Sequence, residues 1–74
     1  METSFNQNRY KIDVLEKAIE GADKAHISSL YKVLSQSLLS VGGDLNEIAA
    51  EIRFKKGLVF AADVRSKARA AAGL

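Results

Sequence analysis

Apolar residues recur at intervals of three and four along most of this chain. From about Asn8, Ile12, Leu15, Ile19 and Ala22 fall on one face of a helix, as 3.6 residues per turn requires. Asp13–Lys17 and Glu20–Lys24 are i,i+4 pairs on the polar side, each worth roughly a few tenths of a kcal/mol. A second run, Ile27, Leu30, Tyr31, Leu34, Leu38 and Val41, repeats the spacing more cleanly. Its outer positions are Ser28, Ser29, Lys32, Ser35, Gln36 and Ser40. Serine is a mediocre helix former, so packing has to hold this element. Residues 1–7 are polar and read as a frayed lead-in.

Proline is absent, so glycine supplies the punctuation. Gly21-Ala22-Asp23 predicts a break, with Asp23 as N-cap of the next helix. The alternative is one long bent helix over residues 8–41. Gly42-Gly43 is the stronger boundary, because glycine enters the left-handed conformation that ends helices. Asp44-Leu45-Asn46-Glu47 then matches a capping box, with Asp44 at the N-cap and Glu47 three residues on. So short a connection makes the flanking helices antiparallel.

Leu45, Ile48, Ala49 and Ile52 form the first face of the last helix. Followed onward, that face meets Lys55 and Lys56 before Val59 and Ala62, while a second face appears at Phe54, Leu58 and Ala61. Gly57 lies between them, at a cost of about 1 kcal/mol relative to alanine in a helix interior. The helix either continues through it or kinks there, ending near Ala70-Ala71-Ala72-Gly73. A strand over residues 58–64 would have no partner strand. The expected fold is all-α: a single domain of two or three helices, the last two an antiparallel helical hairpin turning at Gly42-Gly43.

Composition sharpens this picture. The chain has 74 residues, 47% hydrophobic, but 11 of those 35 are alanine. A single core of this size rarely supplies more than roughly 3–5 kcal/mol. Cysteine is absent and His26 is the only histidine, which excludes disulfides and thiolate metal sites. Self-association or a protein partner is the stabiliser that remains. The N-terminus lacks the basic start and apolar stretch of a signal peptide. Residues 58–62 are the longest apolar run, far short of the ~20 needed to span a bilayer. No membrane span and a cytoplasmic setting are expected.

Charge is split along the chain. Residues 1–51 carry 5 Lys/Arg against 8 Asp/Glu, whereas residues 52–74 carry 6 against Asp63 alone. The basic set is Arg53, Lys55, Lys56, Arg65, Lys67 and Arg69. Three uses suit it: neutralising nucleic-acid phosphates, meeting an anionic membrane surface, or complementing the dipole at a helix C-terminus. A helix-turn-helix over residues 48–69 fits only loosely. Phe54, Leu58, Val59 and Phe60 add more apolar surface than a small core requires, and an exposed apolar patch marks an interface.

No constellation carries specific chemistry. His26 reads as a surface or helix-end residue without a catalytic partner. Glu47 and Glu51 share a face, but a metal site would need a facing Glu-x-x-His pattern that is missing. Gly42-Gly43 lacks the Lys-Ser/Thr of a phosphate loop. No catalytic, cofactor-binding or metal-binding residues are expected. The sequence predicts a non-enzymatic interaction module, of regulator, inhibitor or chaperone type. It would bind itself or an acidic protein through Phe54, Leu58, Phe60, Lys55, Lys56, Arg65 and Arg69. The alternative is a small nucleic-acid-binding regulator using the basic end.

Overall fold

The protein is an antiparallel hairpin of two long helices. The structure, a computed structural model, describes residues 2–40 and 43–74, with side chains described from Lys11 onward. Helix α1 spans Glu2–Ser40 and α2 spans Asp44–Ala71. Val41 and Gly42 lie outside the described residues, so the expected left-handed turn at Gly42 falls there too.

Two expectations about α1 are corrected. The helix starts at Glu2, taking in the residues read as a lead-in. It also runs through Gly21 without a break, so the described residues form two helices and Asp23 caps neither. A Cβ at Gly21 would meet nothing within 4 Å, so the glycine serves no close approach. Its penalty of about 1 kcal/mol is smaller than that of ending one helix and nucleating another, since a nucleus fixes several residues for one hydrogen bond.

The start of α2 also differs from the expected capping box. The N-cap is Gly43, in extended conformation and without any side-chain cap bond. The backbone amides of Asn46 and Glu47 both donate to the Gly43 carbonyl at 3.1 Å. Asp44 and Glu47 sit in the first helical turn instead, where carboxylates favour the positive end of the helix dipole. The other end closes as the sequence suggests. Gly73 has φ +81, the Gly73 amide donates to the Ala70 carbonyl, and the Leu74 amide reaches back to that of Arg69. These are the two bonds of a Schellman motif, and the positive φ is what requires glycine.

The two helices pack along one another in a molecule measuring 64 × 17 × 9 Å. Arg69, near the end of α2, reaches Glu16, so about the first three turns of α1 project past α2. On α1 the half-buried positions are Glu16, Ile19, Glu20, Asp23, His26, Leu30, Leu34 and Ser37. On α2 they are Ala49, Phe54, Gly57, Leu58, Ala68 and Arg69, with Ala50 and Ala61 fully buried. Among the described residues, those two alanines are the whole of the buried core.

Small side chains explain both the fit and the poverty of this core. Ala50 and Gly57 are seven residues apart, as are Ala61 and Ala68, so together they keep one face of α2 narrow. Interaxial distance follows the size of the side chains at the contact. At Gly57 the approach is close: a Cβ there would stand 2.6 Å from Leu30 Cδ2. This resolves the alternatives at Gly57, because α2 is continuous through it with the Leu30 side chain against its backbone.

Candidate protein-docking surface

The two apolar faces of α2 have opposite fates. The face carrying Phe54, Leu58 and Ala61 turns toward α1. The face carrying Leu45, Ile48 and Ile52, extended by Val59, does not. At about 100° per residue these four side chains fall within roughly 60° of one another, opposite Ala50, Ala61 and Ala68. They are 83%, 51%, 47% and 71% exposed. Lys55 and Lys56 flank the stripe and are exposed as well.

This outer stripe is not the predicted site. Of the seven residues expected to meet a partner, Phe54 and Leu58 are half-buried on the α1-facing side. Arg65 and Arg69 are drawn to α1 by carboxylates. The Arg65 guanidinium donates to Glu20 Oε1 through Nε at 3.1 Å and also through Nη2. Arg69 Nη2 donates to Glu16 Oε1 at 3.5 Å. Phe60, Lys55 and Lys56 remain exposed on the surface. Phe60 meets the ring of His26 edge to face, with centroids 6.1 Å apart. His26 is thus a mid-helix residue packed on an aromatic ring, not a helix-end histidine.

The basic end is partly neutralised within the chain. Beside the two inter-helix pairs, Lys67 Nζ donates to Asp63 Oδ2 at 2.9 Å, one turn away. The hydrogen bond from Arg65 holds the Glu20 carboxyl below its usual range, and the same contact raises Arg65. Lys67–Asp63 is exposed and the two inter-helix pairs are no more than half-buried, so solvent screens all three. They orient the open end of the hairpin more than they stabilise it.

Ile19, Leu30 and Leu34 are the members of the α1 stripe drawn toward α2. Ile12, Leu15, Ile27, Tyr31 and Leu38 stay exposed. Two shallow recesses lie between the helices, one edged by Leu30, Val33, Ala50 and Phe54, the other by Ile19, Ala22, His26 and Val64. Among the described residues, no three of His, Cys, Asp and Glu gather closely enough to hold a metal ion. None of the described helices is long and apolar enough to cross a membrane. Comparison with protein-family models, with curated proteins and with solved structures finds no match.

Proposed function

We propose that this chain is a non-catalytic protein-interaction module that docks through the outward face of α2. The observation that carries this reading is the exposure of Leu45, Ile48, Ile52 and Val59 on a helix whose opposite face supplies a core of two alanines. Fully burying one large aliphatic side chain contributes roughly 1.5–3 kcal/mol. Four of them in one stripe outweigh what Ala50 and Ala61 can supply. A compact monomer of 8.0 kDa exposes about 4,450 Å². This chain exposes 6021 Å². The excess, about 1,600 Å², is about twice the ~800 Å² that one partner contributes to a standard interface.

Nucleic acid is the weaker reading. Arg65, Lys67 and Arg69 already engage carboxylates, which leaves fewer cations to displace counterions from phosphate. A reducing, cytoplasmic setting belongs to the same proposal, since the chain has no cysteine.

The test compares wild type with Ile52→Glu. Sedimentation velocity reads association with itself, and immobilised protein reads retention of partners from a host extract. Association or retention that Ile52→Glu abolishes supports the reading. A wild type that stays monomeric and retains nothing that Ile52→Glu loses overturns it. A labelled DNA duplex at two salt concentrations is the control. Tight binding that falls steeply with salt would favour the phosphate reading instead.

A further inference from the structure

We infer that the occupant of the outer stripe is a second copy of this chain, packed α2 against α2 in antiparallel sense. The inference rests on the docking reading above and names its partner. Three observations point to it.

First, α2 is charged unevenly along its length. Asp44, Glu47 and Glu51 occupy its first eight residues without a base, and six of the next eighteen residues are basic against Asp63 alone. In the antiparallel register given below, Glu51 of each copy stands against Lys55 and Lys56 of the other, while Asp44 stands across from Asp63 at the end of the seam. Parallel pairing in register sets like against like, with Lys55 beside Lys55. Complementary charge of this kind fixes orientation more than affinity.

Second, the stripe is self-complementary in the antiparallel register. Ile48 of one copy meets Val59 of the other, and Leu45 meets Ala62. The stem of Lys55 crosses Ile52, and its ammonium lies within reach of Glu51 on the opposite helix. Long cationic side chains cover apolar surface in this way while the charge stays wet. Each contact occurs twice, as a two-fold interface requires.

Third, the exposed area is large enough. Each chain exposes 6021 Å² against about 4,450 Å² for a compact protein of its mass, so a pair has about 3,100 Å² of excess to cover, within the 2,000–5,000 Å² range of obligate homodimers.

The experiment is cross-linking in a chain that has no cysteine of its own. Ile48→Cys and Val59→Cys are made singly and oxidised apart and mixed, with sedimentation of the wild type and Ile52→Glu alongside. The antiparallel pair predicts a disulfide dimer only from the mixture. In that pairing the two copies of residue 48 lie eleven residues apart along the seam, about 16 Å, beyond disulfide reach. Self-linking of each single variant would mean parallel packing and would overturn the inference. So would a wild-type dimer that Ile52→Glu dissociates but the mixture does not cross-link. A monomeric wild type that retains a foreign protein through Ile52 would overturn the inference and leave the docking reading standing. A monomer with no binding sensitive to Ile52 would remove both.

Discussion

Along α2, one face is lined by Ala50, Gly57, Ala61 and Ala68, and the other by Leu45, Ile48, Ile52 and Val59. The first is buried or half-buried and the second is open. A helical hairpin that maximised its own core would place the large residues inside. Here the small residues, with Phe54 and Leu58, make up the face against α1, where Gly57 meets Leu30, while Leu45, Ile48, Ile52 and Val59 are held outward. The inner face sets how the helices lie. The outer face leaves four large aliphatic side chains open.

Breaking the outer face should give the largest effect. The double variant Ile48→Glu/Val59→Glu removes two aliphatic side chains from each copy. Each contributes roughly 1.5–3 kcal/mol when buried. The dimer dissociation constant should rise at least ~100-fold, since each 1.4 kcal/mol is a factor of ten. Sedimentation of the variant beside wild type measures it. An unchanged mass would move the interface to another face.

Overfilling the inner face should come next. Gly57→Leu puts a branched side chain where even a Cβ stands 2.6 Å from Leu30 Cδ2. Overpacking of this kind costs typically 1–3 kcal/mol, and melting followed by circular dichroism should shift down by several degrees. Gly57→Ala should be milder, because Leu30 is flexible at that end and alanine is the better helix former. Adding Leu30→Ala to Gly57→Leu should recover part of the loss. No recovery would mean that the close approach at Gly57 is not what limits the packing.

Acid should loosen the open end of the hairpin. Glu20 titrates below its usual 4.5 because Arg65 donates to its ionised form. Its contribution is therefore complete above that value and is lost as pH falls through the lower folded value. Wild type should lose more thermal stability between neutral pH and pH about 3 than Glu20→Gln, which has no carboxylate to protonate. Parallel losses would show that the Arg65–Glu20 contact carries no measurable linkage. The smallest effect belongs to Asp44→Ala. With no side-chain cap bond at the start of α2, only its interaction with the helix dipole is removed, roughly 0.3–1 kcal/mol.

The hairpin itself was legible in the sequence. Three- and four-residue spacing on either side of Gly42-Gly43 admits little else than two helices folded back on each other. The continuity of α1 was not legible, because the local penalty at Gly21 is visible while its small size beside helix nucleation is not. The capping box matched in sequence, but Gly43 took the N-cap position and shifted Asp44 inside the helix. The inner face of α2 was visible in the sequence as Phe54, Leu58 and Ala61, but not which of the two apolar faces would meet α1, because large apolar residues lie on both. The signal present was the seven-residue spacing of small residues, Ala50 to Gly57 and Ala61 to Ala68. Alanine and glycine weigh little in a hydrophobic pattern and much in how closely helices approach. Arg65 and Arg69 read as free basic residues because Glu16 and Glu20 lie far from them in sequence, and only the hairpin brings them together.

Sedimentation equilibrium of the wild-type chain from low to high micromolar concentration decides whether α2 pairs with a second copy. Pairing gives a mass approaching twice 8.0 kDa, with dissociation on dilution and a single-chain mass throughout for Ile52→Glu. A single-chain mass at every concentration, with helical circular dichroism that still melts cooperatively, would contradict it. Ala50, Ala61 and the half-buried Ile19, Leu30, Leu34, Phe54 and Leu58 would then suffice to fold the hairpin alone.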